Sequence, residues 1–114
     1  MLETHHNGDY LVVRVCVDTL DMRLTAEFQT AFGKVLENED GFVLLDLSMV
    51  QFMDSSGLAA FISCFHLAEI KEQLALIGVT ERVQKLFDLT RVGEVVRIFV
   101  TEQDACSALQ GSTG

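Results

Sequence analysis

The clearest pattern of hydrophobic and polar positions lies in the middle of the chain. An unbroken apolar run over residues 42–45 ends at Asp46, which predicts a central strand with helices on both faces of its sheet. After a short connection, apolar residues recur at the spacing of a helix that lies on such a sheet. These residues are Leu58, Phe61, Ile62 and Phe65.

Three polar residues stand directly before this helical stripe. Asp54, Ser55 and Ser56 are all residue types that cap helices. The helix is therefore predicted to begin on them, with both hydroxyls facing solvent near unpaired backbone N–H groups. Leu58 and Ala59, in the next turn, offer either a small exposed apolar contact or part of the core.

Weaker patterns on either side of this centre complete the fold. Further strands are predicted at residues 10–17, 74–79 and 95–100. Further helices are predicted at residues 22–37, between Thr80 and Gly93, and at 102–109. This alternation predicts an α/β domain: a mixed, mostly parallel sheet of about five strands packed with about four helices. The two N-terminal strands need not be parallel.

The polar segments between these elements carry their own signals. His5 and His6 lie in a polar stretch that predicts an edge strand or a frayed end rather than a metal site. Residues 18–21 form the turn before the first predicted helix, and Asp21 is placed to cap that helix. His66, in the central helix, is predicted to be a partly covered helix residue rather than a catalytic base.

Composition and charge limit the possible functions. The 114 residues suit one domain, and 49% apolar against 22% charged residues is typical of a globular chain. A net charge of −9 with only eight scattered Lys and Arg argues against nucleic acid and anionic membranes as partners. Apolar runs are too short to span a bilayer and no signal pattern begins the chain, so we expect a soluble cytoplasmic protein.

No cofactor or metal site is predicted. Cys16, Cys64 and Cys106 are odd in number and far apart, which favours small buried hydrophobic residues in a reducing compartment. The chain also has neither a phosphate-binding loop nor a dinucleotide fingerprint.

Two linked motifs suggest a family. Leu-Asp-Leu-Ser at residues 45–48 is followed by Phe-Met-Asp-Ser-Ser-Gly-Leu at residues 52–58. The pair resembles the signature of STAS domains, and most closely the bacterial anti-sigma factor antagonists. The resemblance implies a single STAS domain over residues 1–114, with its core at about 10–105. Asp18 stands where the usual Gly-x-Leu-Asp turn has its glycine, and if that glycine has a positive φ, aspartate is a tolerated but less favourable substitute.

The resemblance implies a function as well as a fold. In those antagonists a partner kinase phosphorylates the serine directly after the aspartate, which here is Ser55. By this resemblance the partner is an anti-sigma factor with serine kinase activity, and a separate phosphatase reverses the modification. The unphosphorylated protein binds that partner and so releases a sigma factor. The partner-binding residues implied are Asp21, Asp54, Ser55, Ser56, Gly57 and Leu58.

The chemistry of phosphorylation is consistent with such a switch. A phosphate on Ser55 adds about −1.5 to −2 charges at a helix N-terminus, where backbone N–H groups and the helix dipole accommodate an anion. The fold is therefore expected to survive while a docked partner is repelled. The alternative is a constitutive STAS module of another signalling or transport assembly, in which the serines only cap the helix.

Two other classes fit the sequence less well. A serine hydrolase needs a nucleophile elbow and a histidine base, but residues 54–57 are not Gly-x-Ser-x-Gly. A receiver domain needs a lysine after its last strand, and none is present there, although Asp46 resembles a phosphoacceptor in position. We therefore predict a non-enzymatic binding protein in which Asp46 is structural and meets backbone N–H groups.

Overall fold

A computed structural model describes residues 1–8, 10–39, 41–69, 74–94 and 96–111, leaving aside the side chains of 64–69 and 109–111. The strands in chain order are β1 (Leu2–Asn7), β2 (Tyr10–Val15), β3 (Thr19–Leu20), β4 (Phe42–Asp46), β5 (Phe52–Met53), β6 (Leu74–Ile77) and β7 (Arg97–Phe99). The helices are α1 (Thr25–Glu37), α2 (Ser55–Glu69), α3 (Glu81–Thr90) and α4 (Glu102–Gly111).

The main sheet has the strand order β1-β2-β4-β6-β7. β1 is antiparallel to β2, and every other neighbouring pair is parallel. The predicted α/β class, with a mostly parallel sheet of five strands and four helices, is confirmed within the described ranges. β1 is the edge strand that the polar N-terminal segment allowed, and only Leu2 in it is partly covered.

One face of the sheet carries the larger core. Leu11, Val13 and Val15 point from β2 toward α1, α2 and α3, because alternate residues of a strand face opposite sides. Four phenylalanine rings from the helices stack in a row, with centroids 5.7, 6.0 and 5.6 Å apart. These rings belong to Phe28, Phe32, Phe61 and Phe87. Each stacked pair adds about 0.5–1.5 kcal/mol beyond area burial.

The opposite face is covered by α4. Tyr10, Val12 and Leu44 pack there with Ala105 of that helix. The Tyr10 hydroxyl donates a hydrogen bond to Glu102 Oε2 at 2.9 Å, and Asn7 Nδ2 donates to the same oxygen at 2.8 Å. α4 is thus fastened to the β1–β2 hairpin by polar contacts as well as by apolar ones.

Asp46 has the structural role predicted for it. It is 7% exposed, and its Oδ1 accepts the Ser48 N–H at 2.9 Å, while Arg14 Nε pairs with its Oδ2 at 3.2 Å. Gly78, at φ +67°, lies so close that a Cβ atom there would be 3.0 Å from Asp46 Oδ1. The pairing with Arg14 was not visible in the sequence, because it depends on the register of β2 against β4.

Several predicted boundaries shift. β2 ends at Val15 rather than 17, and β7 is limited to Arg97–Phe99, with Val95 outside the described residues. α3 ends at Thr90, before Gly93, because Arg91 adopts a left-handed conformation at φ 59° and closes the helix. Gly93 instead lies in a short 3-10 turn.

The helix predicted from residue 22 begins at Thr25, and its N-cap is Leu24 rather than Asp21. The assignment of Asp21 as the cap of α1 was wrong. Its carboxylate Oδ1 accepts the Arg23 N–H at 3.0 Å, and its carbonyl accepts the Leu24 N–H at 3.0 Å. These bonds form a local turn that competes with helical geometry, as short acidic side chains often do.

Some chemical expectations are also refined. Cys16 and Cys106 are half-buried rather than fully buried, and the Cys16 thiol donates to the Arg14 carbonyl at 3.6 Å. The side chains of Cys64, Phe65 and His66 lie outside the described residues. In the described part of the chain, no helix has the length and apolar character to cross a membrane. No cluster of metal-ligating side chains is found there either.

Candidate functional site

The site is built where two short loops pair. β3 runs parallel to β5, with Thr19 opposite Phe52 and Leu20 opposite Met53. The Asp18 carbonyl also accepts the N–H groups of residues 51 and 52 at 2.8 and 3.0 Å. This small second sheet joins the loop before α1 to the loop before α2, so that residues distant in sequence meet at the N-terminus of α2.

Asp18 is accommodated in this loop without strain. Among the described non-glycine residues, only Arg91 has a positive φ. The aspartate therefore needs no left-handed backbone, and the loop does not depend on a glycine at this position. Its contribution is the carbonyl that binds the strand leading to α2.

Asp54 caps α2 and anchors the neighbouring loop. Its Oδ1 accepts the Gly57 N–H at 2.7 Å, the hydrogen bond of a helix N-cap. Its Oδ2 accepts the Met22 N–H at 3.3 Å, and its own N–H donates to the Leu20 carbonyl at 3.3 Å. One carboxylate thus fixes both the start of the helix and the turn opposite it.

The two serines are the first helical residues, not the caps. Ser55 is exposed and Ser56 is half-buried, as expected for hydroxyls near solvent. Within the described part of the chain, neither hydroxyl has a hydrogen-bond partner, and the N–H groups of both residues are unpaired. Because Asp54 does the capping, the Ser55 hydroxyl is not needed for the helix.

Gly57 sets how closely α2 approaches β3. A Cβ atom at this position would collide with the Leu20 carbonyl oxygen and come within 2.9 Å of its carbon. Both are backbone atoms, which cannot rotate away as a side chain can. The glycine is therefore required by packing, since α2 itself has ordinary helical geometry here.

The other predicted site residues divide between surface and core. Leu58 is only 8% exposed and belongs to the larger core, whereas Ala59 is exposed. Asp21 lies on the loop that Asp54 holds, and its carboxylate pairs with Arg23 at 2.8 Å. The hydrogen bond from Arg23 lowers the pKa of Asp21, so this carboxylate stays charged at neutral pH.

Sequence reasoning missed the apolar surface around Ser55. Met22 is 71% exposed and donates its own N–H to Asp54, and Phe52 is 50% exposed and lies two residues before Asp54. Met49, in the loop between β4 and β5, is also exposed. Exposed large apolar side chains on loops that meet at one end of a helix indicate a contact surface. The sequence carried no clear signal for it, because Met22 and Phe52 lie among other apolar residues such as Leu20, Val50 and Met53, and only packing shows which of these are exposed.

The geometry agrees with a comparison to known families. The family model of the STAS domain matches residues 1–105 of the chain. The chain belongs to the STAS domain family. The resemblance inferred from residues 45–48 and 52–58 is thereby confirmed.

Curated relatives of this STAS domain are anti-sigma factor antagonists. It is 34% identical over 67 residues to the anti-sigma-B factor antagonist of Listeria monocytogenes, a match that covers 57% of this chain and 59% of that protein. The match thus spans less than two thirds of the Listeria protein. It is 28% identical over 98 residues to the anti-sigma-B factor antagonist of Staphylococcus epidermidis, covering 85% of this chain and 90% of the other.

Solved structures show the same fold. An anti-sigma factor antagonist from Mycobacterium paratuberculosis superimposes on this STAS domain with a TM-score of 0.83 at 20% identity. The superposition covers 96% of this chain and 93% of the other. The five-stranded sheet with four helices is therefore the STAS architecture.

Proposed function

We propose that this STAS domain is an anti-sigma factor antagonist whose binding to its partner is switched off by phosphorylation of Ser55. The observation that carries the proposal is the position of Ser55: an exposed first residue of α2 whose hydroxyl has no structural partner among the described residues. The sequence similarity to anti-sigma-B factor antagonists supports the choice of partner class.

The start of α2 is suited to carry a phosphate without unfolding. The unpaired N–H groups of Ser55 and Ser56 and the positive end of the helix dipole favour an anion there. The first turn of α2 contains no acidic residue to oppose it. Asp54, although adjacent, has both carboxylate oxygens bound to backbone N–H groups.

The same phosphate is unfavourable for a docked protein. A partner covering Ser55 would also cover the exposed side chains of Met22 and Phe52, so the dianion would have to lose its water in an apolar contact. A micromolar complex is worth about −8 kcal/mol, and a penalty of about 3 kcal/mol weakens it roughly a hundredfold. A local charge is enough to switch binding, with no change of fold.

The proposed cycle has two further components. The partner is an anti-sigma factor with serine kinase activity, which phosphorylates Ser55 from its own ATP, and a separate phosphatase restores the binding form. Both act in the cytoplasm. A net charge of −9 favours a partner whose surface is basic where it faces the acidic parts of this chain. This chain itself performs no catalysis in the cycle.

Variants of Ser55 test the switch. We expect Ser55→Ala to retain a kinase-like anti-sigma factor from the native extract, and Ser55→Asp to bind it at least tenfold more weakly. Ser63→Asp is the matched control, because Ser63 is also exposed on α2 but lies two turns further along. Purified partner with ATP should place phosphate on wild-type Ser55, which mass spectrometry locates.

Stability measurements separate loss of binding from loss of fold. An acidic residue in the first turn of a helix contributes about 0.3–1 kcal/mol, so Ser55→Asp should be at least as stable as wild type in urea unfolding. If Ser55→Ala, Ser55→Asp and Ser63→Asp all retain one non-kinase partner equally, and no phosphate is found on Ser55, the protein is a constitutive scaffold.

A further inference from the structure

A groove lies beside the site, between β5 and the first two turns of α3. Its volume is about 310 Å³. Phe52 forms one wall and is half exposed, whereas Met53 and Val83 form a buried floor with Leu86 half covered. The Thr80 hydroxyl donates to the Val50 carbonyl at 2.7 Å, which fastens the start of α3 to the loop before β5. The groove is therefore formed by fixed elements.

The groove is basic in an acidic protein. The chain has 17 acidic and 8 basic residues, yet the charged residues that line the groove within the described ranges are Arg82 and Lys85. Both are exposed. Lys85 lies 3.8 Å from Glu81, but both side chains are more than 70% exposed, so this pair holds the ammonium group only weakly. The two cations remain available to a ligand.

We infer that this groove binds an acidic, amphipathic segment of the partner protein. An apolar side chain of that segment would pack against Phe52 over the floor of Met53 and Val83. Carboxylates on either side of it would pair with Arg82 and Lys85, and the negative charge of the remaining surface makes those two cations the favourable place for them.

This inference rests on the proposed function for its regulation. Phe52 belongs both to the groove and to the apolar surface around Ser55. Ser55 lies only three residues after Phe52 in the chain. The Debye length is about 8 Å at physiological salt, so a phosphate on Ser55 would act on a segment seated against Phe52. The same modification would then repel the acidic segment as well as block the surface over α2.

The first test requires no knowledge of the partner. The probe is a short peptide in which Leu and Phe alternate with Glu and Asp, and its counterpart carries Lys at every acidic position. Amide chemical shifts of the isotope-labelled protein should move at residues 51–53 and 82–86 with the acidic peptide. We expect it to bind at least about tenfold more tightly than the basic one, a difference of 1.4 kcal/mol.

Charge reversal supplies the decisive comparison. The double variant with Arg82→Glu and Lys85→Glu should lose the preference for the acidic peptide. A double variant with Arg91→Glu and Arg97→Glu changes the charge equally at exposed residues outside the groove, and it should bind as wild type does. Phe52→Ala should weaken binding, whereas Leu89→Ala, an exposed residue further along α3, should not. Urea unfolding verifies that each variant is folded.

The proposal is overturned if the acidic peptide shifts no amide at these residues, or if both peptides bind equally. The anti-sigma factor retained by Ser55→Ala gives the second comparison. Suppose that Ser55→Asp abolishes binding of this anti-sigma factor, but that the groove double variant and the control double variant both bind it as tightly as wild type. The groove assignment then fails and the switch stands. If the acidic peptide binds in the groove while the Ser55 variants have no effect, the switch fails and the groove stands.

Discussion

At the scale of single residues, Gly57 is the position with least freedom. A Cβ atom on it would collide with the Leu20 carbonyl group, and both residues belong to elements held in place by the Asp54 hydrogen bonds. We expect Gly57→Ala to destabilise the protein by about 2–3 kcal/mol, because the added methyl group forces the backbone of α2 away from β3.

Gly33 is the matched control. It lies within α1, and a Cβ atom there would have nothing within 4 Å. Gly33→Ala should therefore stabilise the protein by about 0.5–1 kcal/mol, the ordinary gain in a helix interior. Urea unfolding of the two variants gives both values. Equal effects at the two positions would show that the contact between Gly57 and Leu20 is not tight.

At the scale of elements, Tyr10 connects α4 to β2 through Glu102. Burial, followed by the hydrogen bonds to Glu102 and Cys106, raises the pKa of Tyr10 above its ordinary value of 10.0. The folded state therefore favours the protonated phenol more than the unfolded state does. This contribution to stability is complete below pH 10.0 and is lost as the pH rises above that value.

Tyr10→Phe tests this connection. At neutral pH we expect a loss of about 1–2 kcal/mol, since a buried hydroxyl bonded to a carboxylate is removed. Between about pH 9 and 11 the wild type should lose stability more steeply than the variant, because only the wild type carries this phenol. Tyr10 is the single tyrosine of the chain, so phenolate absorbance reports its ionisation directly. Parallel pH profiles for the two proteins would contradict the assignment.

At the scale of the whole molecule, the sheet needs cover on both faces. Parallel strands expose apolar residues on each side, and α4 is the helix over the face formed by Tyr10, Val12 and Leu44. Deleting residues 101–114 should destabilise the domain by at least about 3 kcal/mol, the scale of exposing two large apolar side chains.

A shorter deletion controls for the effect of shortening the chain. Removing residues 112–114 leaves the whole of α4 in place, since that helix ends at Gly111. This variant should unfold at the wild-type urea concentration. Far-ultraviolet circular dichroism during the titration compares the two deletions. A longer deletion that unfolds like the shorter one would show that α4 contributes little to the fold.

The fold class and the site were accessible from the sequence to different degrees. β4 could be predicted because an unbroken apolar run is typical of a strand buried on both faces, and α2 because its apolar spacing marks the side that faces the core. The start of α2 followed from the residue types at 54–56, although they did not reveal that Asp54 alone is the cap. Leu58 was ambiguous in the sequence, because its spacing places it near the core and only packing shows that it is buried.

The sequence by itself determined the layered α/β fold and its central strand and helix. It also determined that this helix starts at an aspartate followed by two serines. Local periodicity and capping preference are properties of neighbouring residues, so they can be read along the chain. The tertiary structure decided the pairing of β3 with β5, the exposure of Met22 and Phe52, and the contact that requires Gly57. Those features join residues more than 30 positions apart, as in the bond from Met22 to Asp54, and they exist only once the sheet and helices have packed.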